Sequence, residues 1–289
     1  MAASSMYDDL DRPPLHADVL ERALVTSDSL WSRVEVVETS PSTNADLAEL
    51  AASSDEDGVV RIAEHQTAGR GRLDRTWTAP PRSGLTMSVL IRPGGREPVP
   101  AARWPWIPLL AGLAVAATLR RDADVAAVLK WPNDVLIEDR KVAGLLVERV
   151  DAGARGRGIG STRTAAVIGI GLNVSLRADE LPVPTATSLV LAGASSTDRS
   201  LLARGVLRSL SGLLSDWYRH GGDPRQGLQT AYVEACDTLG RQVRVEQADG
   251  TAVVGEAVSV DDSGRLLVRT DAGQKAVGAG DVLHLRAEP

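Results

Sequence analysis

The sequence is poor in lysine and cysteine, and it has no long apolar run. Only three of its 32 basic residues are lysines: Lys130, Lys141 and Lys275. Its single cysteine, Cys236, cannot form an internal disulfide, and neither a signal peptide nor an apolar run of about 18 residues is found. These absences exclude a disulfide-stapled secreted domain and a membrane-spanning chain. We therefore expect a cytoplasmic protein without a membrane partner.

The chain also lacks an excess of positive charge. Its formal net charge is −6, which argues against broad non-specific binding of nucleic acid, because such binding needs a net basic surface. Any anion-binding site must therefore be local. With 289 residues and 43% hydrophobic content, the chain can bury a sizeable core in one large domain plus a small one.

The scarcity of lysine makes each lysine informative. Lys130 and Lys141 lie eleven residues apart in a chain that otherwise uses arginine for positive charge. An ammonium approaches a single oxygen as a point charge, whereas a guanidinium presents a fixed fork of donors. These lysines are therefore candidates for a functional role, although chance explains the presence of any one of them alone almost as well.

Hydrophobic periodicity predicts an α+β domain in the first 238 residues. Residues 1–16 show no periodicity and predict a mobile tail. After this tail a short helix is expected to about Trp31. Strand 34–38 is followed by a cap and helix start at Pro41-Ser42-Thr43-Asn44, which opens a helical pattern. Further strands are expected at 59–64, 85–91, 125–130, 134–138, 142–150 and 165–171, and further helices at 106–121, 198–219 and 225–237.

After Leu239 the pattern becomes short and β-rich. Segments 241–247, 252–260, 265–270, 274–277 and 281–285 are separated by turn sequences such as Ala-Asp-Gly and Asp-Asp-Ser-Gly. This pattern predicts a small all-β barrel of about fifty residues. We therefore expect a tail at 1–16, a catalytic domain at 17–238 and a C-terminal domain at 239–289.

Two stretches alternate arginine and glycine. The stretch at 155–158 lies in "DAGARGRGIGST" (151–162), and we interpret it as a solvated, flexible connection between two strands. The stretch at 69–72 follows a β-like segment and precedes Trp77. Its glycines let backbone N–H groups approach a ligand, and Arg70, Arg72 and Arg75 can offer forked donors to phosphate or carboxylate oxygens. This second stretch therefore predicts an anion-binding loop.

The motif "GIGLNV" (169–174) begins like a dinucleotide-binding fingerprint. Val174 stands where the third glycine would be, and no βαβ unit surrounds the motif, so we reject a nicotinamide site. Gly169 and Gly171 would instead let a ligand lie against a strand.

The stretch 129–150 predicts a hairpin that carries Lys141 at the start of its returning strand. On the simplest interpretation Lys141 is a solvated hairpin charge, Asp134 a turn cap and Trp131 a core residue. Two observations argue against this interpretation. Lysine is scarce in the chain, and Gly144 leaves the strand without a side chain just beyond Lys141.

Five motifs resemble those of biotin protein ligases in order and spacing. They are "STNADL" (42–47), "EHQTAGRGRLDRTW" (64–77), "KWPNDVLIEDRKVAGLLVE" (130–148), "GIGLNV" (169–174) and "GDVLHLR" (280–286). The resemblance implies a catalytic domain like that of class II aminoacyl-tRNA synthetases, with a mixed sheet and helices, and an SH3-like C-terminal barrel.

The resemblance also implies the chemistry. Biotin and ATP would form biotinyl-5'-AMP with release of pyrophosphate, and the biotin would then pass to one lysine of a biotin carboxyl carrier domain of acyl-CoA or pyruvate carboxylases. Mg²⁺ would arrive with ATP near Asp134, and no residue is assigned as its direct ligand.

The residues that match the family motifs are assigned to three groups. Lys141 and Arg72 are the expected catalytic residues. The expected biotin site comprises Ser42, Thr43, Asn44, Gln66, Gly69, Arg70, Lys141, Gly144, Leu146, Gly169 and Gly171. The expected ATP and adenylate site comprises Arg70, Arg72, Arg75, Trp77, Asn133, Asp134, Lys141 and Asn173. Residues 68–78 are expected to order over the adenylate and exclude water.

The chain departs from the family pattern at Asp74, which stands where the family usually has glycine and could pair with Arg72 or Arg75. Too little sequence precedes the catalytic block for the helix-turn-helix of the repressor ligases, so no DNA binding is expected. Two alternatives remain open: a lipoate or octanoate ligase, and a non-catalytic regulator that uses the barrel.

Overall fold

A computed structural model describes residues 12–73, 75–93, 98–152, 163–247, 249–278 and 280–284. Most of the predicted tail, Asp74 and most of the predicted connection at 151–162 lie outside the described residues. Among those described, no helix combines the length and the apolar composition needed to cross a bilayer.

Seven strands form one large mixed sheet. They are β1 (Arg33–Ser40), β2 (Val59–Gln66), β3 (Gly84–Ile91), β4 (Val128–Lys130), β5 (Asp134–Ile137), β6 (Arg140–Ala152) and β7 (Arg163–Asn173). Their order is β1-β2-β3-β7-β6-β5-β4. Strands β1 and β2 run parallel, and all other neighbours are antiparallel.

Helices cover both faces of this sheet. They are α1 (Ala17–Leu24), α2 (Thr43–Ser53), α3 (Trp106–Asp122), α4 (Arg199–Arg219) and α5 (Leu228–Ala235), with 3-10 turns at Ala101–Arg103 and Ala178–Glu180. Helix α3 is buried on nearly all sides and shares one large core with α1, α4 and α5. Helix α2 packs on the opposite face through Leu47 and Ala51, in a small separate cluster.

A second sheet of five antiparallel strands follows. Its strands are β8 (Gln242–Glu246), β9 (Ala252–Val260), β10 (Leu266–Thr270), β11 (Gly273–Val277) and β12 (Asp281–His284). Their order is β11-β10-β9-β8-β12. The expected fold class, a mixed α/β domain followed by a small all-β domain, is confirmed, whereas the exact domain boundaries stay a prediction.

Helix α1 ends at Leu24, well before the expected end near Trp31, and the prediction was wrong there. A turn closes after it, in which the Ser29 N–H donates to the Thr26 carbonyl over 3.2 Å. Trp31 is a core residue beyond that turn, and its indole N–H donates to the carbonyl of Leu207 in α4 over 2.9 Å. Helix α5 likewise begins at Leu228 instead of 225, after Gly227, whose φ of 105° no helix residue adopts.

Candidate active site

The α2-facing side of the large sheet forms the floor of an open cavity. Strand side chains alternate between faces, so residues two apart share a side. On β3, Leu85, Met87, Val89 and Ile91 enter the large core, which turns Thr86 and Ser88 toward α2. The pocket floor therefore consists of the residues that this alternation leaves on the α2 side.

Two rows of cross-strand neighbours make up this floor. Ser88 pairs with Gly169, which pairs with Leu146. Thr86 pairs with Gly171, which pairs with Gly144. Because three of these positions are glycines, the backbone of the sheet itself is open to whatever lies in the cavity.

A buried polar network closes one end of the cavity. Ser42 caps α2 by accepting a hydrogen bond from the Ala45 N–H. The Thr43 N–H and hydroxyl both contact the Gln66 side-chain oxygen, at 2.8 and 3.0 Å. The hydroxyls of Thr43 and Ser88 are 2.7 Å apart. The network can therefore fix donors and acceptors for a polar ligand group away from water.

Asn44 extends the network along the floor. Its side-chain oxygen accepts a hydrogen bond from the Ser88 hydroxyl at 2.6 Å, and its amide donates to the Glu148 carboxylate at 2.7 Å. Arg70 pairs with the same carboxylate at 3.2 Å. A Cβ at Gly169 would lie 2.3 Å from the Asn44 oxygen, so only glycine fits beneath this side chain.

Trp77 lies across the second of the two floor rows, which contains Gly171 and Gly144 and which we call the glycine row. A Cβ at Gly171 would meet its ring at 2.4 Å, and one at Gly144 would meet it at 3.1 Å. The Lys141 ammonium is 5.7 Å from the ring centroid, a cation–π distance. The buried indole N–H has no hydrogen-bond partner among the described residues. Trp77 thus forms an apolar wall with one donor to offer.

Lys141 lies on the predicted hairpin. Strands β5 and β6 are joined by Glu138 and Asp139, whose φ values of 50° and 60° fit a tight two-residue turn. The Lys141 ammonium is 2.6 Å from an oxygen of Asp134 across the hairpin, although the pair is not aligned as a hydrogen bond. The Lys141 backbone is fixed by hydrogen bonds to Thr185 and Thr187, each 2.8 Å long.

The anion loop folds into a short hairpin against the second domain. The Gly71 N–H donates to the Arg75 carbonyl and the Trp77 N–H to the Gly69 carbonyl, at 2.7 and 2.8 Å. Arg75 forms an ion pair with Asp281 at the start of β12. Ordering of this loop over a ligand stays a prediction.

Arg72 is held from two sides. It donates to the Asn133 side-chain oxygen at 2.8 Å and to the Gly280 carbonyl at 3.4 Å. Asn133 in turn donates to the Leu145 carbonyl at 2.9 Å. Burial lowers the pKa of Arg72, while Asp281 and Asp134 raise it, and a guanidinium keeps its charge throughout. Asn133 therefore orients Arg72 toward the cavity.

The cavity lining beyond the polar network is rich in positive charge, whereas Arg70 lies beside that network because it shares Glu148 with Asn44. We call the part lined by Arg72, Arg75, Lys130 and Arg241 the cationic end. The cavity has a volume of about 1500 Å³, enough for two substrates at once. Its described lining includes six cationic side chains and only three carboxylates. The cations are Arg70, Arg72, Arg75, Lys130, Lys141 and Arg241, and the carboxylates are Asp134, Asp139 and Asp281.

Asp139, Asp237 and His284 lie at the rim of this end, with ligand atoms within 4.8 Å of one another. Arg241 forms ion pairs with both carboxylates, at 3.2 and 2.7 Å, and so neutralises part of their negative charge. Burial, Lys130 and Arg241 lower the pKa of His284, and the two carboxylates raise it.

The structure brings nearly all the predicted site residues to this one cavity. Of the predicted set, Gly69 alone is absent from the described lining; a Cβ there would meet the Trp77 carbonyl at 2.3 Å. Asn173 reaches the lining and donates to the Thr187 carbonyl at 2.9 Å. The functional role of each residue stays a prediction.

Sequence reasoning missed Ser88, Thr86 and Glu148, and it gave Lys130 no role. Ser88 and Thr86 alternate within the otherwise apolar strand "GLTMSVLI". Polar residues at every second position of a buried strand are a signal for a polar face, and this signal could have identified them. Glu148 has no such local signal, because its partners Asn44 and Arg70 are distant in sequence.

Comparisons with known proteins agree with this geometry. The Biotin/lipoate A/B protein ligase family matches residues 35–173, and the Biotin protein ligase C terminal domain matches residues 238–285. The "Biotin--[acetyl-CoA-carboxylase] ligase" of Mycobacterium tuberculosis is 41% identical over 279 residues, covering 95% of this chain and 97% of that protein. The "Bifunctional ligase/repressor BirA" of Escherichia coli is 32% identical, over 80% of this chain and 68% of that protein.

Solved structures give the same family. The biotin protein ligase from Aquifex aeolicus in complex with biotin and ATP is similar to this chain with a TM-score of 0.71 and 26% identity, covering 89% of this chain and all of that one. The fold, the two matched domains and the extent of the relationship to the mycobacterial enzyme lead to one assignment. This chain belongs to the biotin protein ligase family.

Proposed function

We propose that this protein is an ATP-dependent biotin protein ligase. A biotin carboxylate oxygen attacks the α-phosphorus of ATP, the bond to the β-phosphate breaks, and pyrophosphate leaves with the electron pair. The amine of a carrier lysine then attacks the biotinyl carbonyl carbon, an amide forms, the amine loses a proton, and AMP leaves. The observation that carries this proposal is one cavity with a buried polar network at one end and a cluster of cations at the other.

The polar end suits biotin. Biotin has a ureido ring with N–H and C=O groups, and their burial is costly unless each is paired. The amides and hydroxyls of Ser42, Thr43, Asn44 and Gln66 are chemically suited to this pairing. The apolar thioether ring would lie over the glycine row, between Leu146 and Trp77.

The cationic end suits the nucleotide. Two anions, a carboxylate and a triphosphate, must meet, so preorganised positive charge lowers the main electrostatic barrier. Lys141 would contact the carboxylate and the α-phosphate, because it lies between the two ends of the cavity. Arg70, Arg72 and Arg75 would bind the phosphates, and Asn133 would support Arg72.

Magnesium is proposed to accompany ATP. Asp134 offers a half-buried carboxylate on the cationic side, and magnesium in phosphate sites commonly uses one or two carboxylates and keeps several waters. The ion would neutralise part of the triphosphate charge. Asp134 would then contact the ion in place of Lys141.

The proposed partners are biotin carboxyl carrier domains. The mycobacterial relative is named for acetyl-CoA carboxylase, and we extend the proposal to carriers of other acyl-CoA carboxylases and of pyruvate carboxylase. We propose no operator DNA, because the formal net charge of −6 opposes binding to a polyanion.

Exchange of labelled pyrophosphate into ATP tests the proposal. Purified protein with magnesium would receive biotin, lipoate, octanoate or no acid. Exchange is expected only with biotin, because the ureido-binding groups would stay unpaired with the other acids. Exchange with lipoate or octanoate alone would instead assign the protein to the sister activity.

Replacing Gly171 by alanine is expected to weaken biotin binding by about fivefold to 150-fold, since overpacking of this size typically costs about 1–3 kcal/mol. The new Cβ would lie 2.4 Å from the Trp77 ring and would push the indole into the cavity. Calorimetric titration with biotin measures the change. Gly212→Ala is the matched control, because nothing lies within 4 Å of that Cβ; equal affinity in both variants would contradict the proposed location of biotin.

A further inference from the structure

Lys130 is a cation of the cavity that the residue roles above leave unused. It lies at the end of β4, half-buried, and its side chain lines the cationic end. Each of the other five cations of the described cavity lining contacts a partner: Arg70 with Glu148, Arg72 with Asn133, Arg75 with Asp281, Lys141 with Asp134 and Arg241 with Asp237. The Lys130 side chain has no hydrogen bond or ion pair among the described residues.

Lys130 is half-buried and has both cations and carboxylates around it. Burial lowers its pKa most, and Lys141 and Arg75 lower it further, while Asp134 and Asp281 raise it. Both carboxylates are already engaged, by Lys141 and by Arg75. The fold thus keeps a partly desolvated ammonium whose neighbouring carboxylates already contact other cations, an arrangement that an entering anion would stabilise.

The position of Lys130 relative to Lys141 indicates which anion Lys130 would bind. Strand β5 lies between β4 and β6 in the sheet, and Lys130 pairs with Asp134, whose side chain contacts Lys141. Asp134 also pairs with Gly144 on the floor. Lys130 is therefore one strand beyond the point where the carboxylate and the α-phosphate would meet, on the side away from the polar network.

We propose that Lys130 binds the leaving pyrophosphate, as the β- and γ-phosphates of ATP before the reaction and as free pyrophosphate after it. This inference rests on the function proposed above. When the bond between the α-phosphorus and its bridging oxygen breaks, the electron pair stays on that oxygen, and the ammonium stabilises the new charge without giving up its proton. Lysine suits this task because its point charge can follow an oxygen whose charge grows as it departs.

The test separates the two half-reactions in Lys130→Met. Adenylate formation from ATP and biotin is measured first, then pyrophosphorolysis of chemically prepared biotinyl-AMP at varied pyrophosphate, and finally transfer from the same biotinyl-AMP to a carrier domain. Loss of one charge-assisted contact is expected to raise the KM for pyrophosphate by about tenfold to a hundredfold. Transfer to the carrier should change less than about twofold, because pyrophosphate takes no part in it.

Two further variants serve as controls for Lys130→Met. Lys275→Met is the matched control, because Lys275 is exposed on β11 and should leave all three rates unchanged. Lys130→Arg should recover part of the pyrophosphate affinity by restoring the charge. Melting temperature and biotin affinity, measured on each variant, report whether the fold and the other substrate site persist.

The possible failures are distinguishable. If the wild type forms no adenylate from biotin and ATP, the proposed function falls, and the assignment of Lys130 falls with it. If the wild type is active and Lys130→Met keeps its KM for pyrophosphate, only the assignment of Lys130 is overturned. Equal losses in adenylation and in transfer would also overturn it, since they would assign Lys130 a structural role between the domains.

Discussion

Replacing Lys141 by alanine is expected to slow biotin-dependent pyrophosphate exchange by about 10²–10³-fold, the usual effect of removing one electrostatic donor from a transition state. The ammonium lies between the polar and the cationic ends of the cavity, 2.6 Å from Asp134 and over the Trp77 ring. No other described lining cation contacts both of these groups. Steady-state exchange at saturating ATP measures the loss in kcat.

Controls separate the loss of the ammonium from the effect on its partner. Lys141→Ala leaves the half-buried Asp134 without its cation, so the double variant Lys141→Ala with Asp134→Ala measures how far the two residues are coupled. Lys275→Ala removes an exposed lysine and should keep full activity. Lys141→Arg should recover little, because a forked guanidinium does not fit a site built for a point charge. A loss of less than tenfold in Lys141→Ala would contradict a catalytic role.

Local sequence signals were sufficient for most elements of the fold. The hairpin that carries Lys141 was expected from two β-like runs around Glu138-Asp139-Arg140, and it was confirmed as β5 and β6. The β-rich segments after Leu239 correspond to the five strands of the second sheet. These predictions succeeded because turn residues and strand alternation are properties of neighbouring residues.

Contacts between distant segments were not predictable in the same way. The support of Lys141 by Thr185 and Thr187 joins residues more than forty positions apart, in a stretch without periodicity. The ion pair of Arg75 with Asp281 joins the two domains. No local rule indicates such pairs, because the register between segments is set by the packing of the whole chain.

The site was predicted best where a motif and the sheet geometry agree. Gly169 and Gly171 were expected to let a ligand approach a strand, and the structure puts both on the α2 side of the sheet, beneath Asn44 and Trp77. The alternation of Thr86 and Ser88 in an apolar strand indicates a polar face, but it does not indicate which residues Ser88 contacts. Its hydroxyl joins Thr43 to Asn44, which is a property of the folded chain alone.

The buried ion pair of Glu64 and Arg199 is a structural contact that no sequence pattern indicated. The two groups are 2.5 Å apart, and their side chains are only 2% and 5% exposed. Glu64 also accepts a hydrogen bond from the Leu15 N–H, and Arg199 donates to the Pro13 carbonyl. The pair therefore fastens the N-terminal segment and α4 to the end of β2, two residues before Gln66.

Replacing Arg199 by methionine is expected to lower the free energy of unfolding by about 3–5 kcal/mol, because it leaves a carboxylate buried without its cation. Urea denaturation followed by circular dichroism measures this change. The double variant Glu64→Gln with Arg199→Met should recover much of the loss, since it removes the unpaired charge. Arg22→Met serves as the control: its ion pair with Asp18 is 74% and 70% exposed, and pairs of this kind contribute about 0–1 kcal/mol. If the Arg199 and Arg22 variants lost equal stability, water would have to reach Glu64, and the pair would not be what fixes β2 beneath the polar end of the cavity.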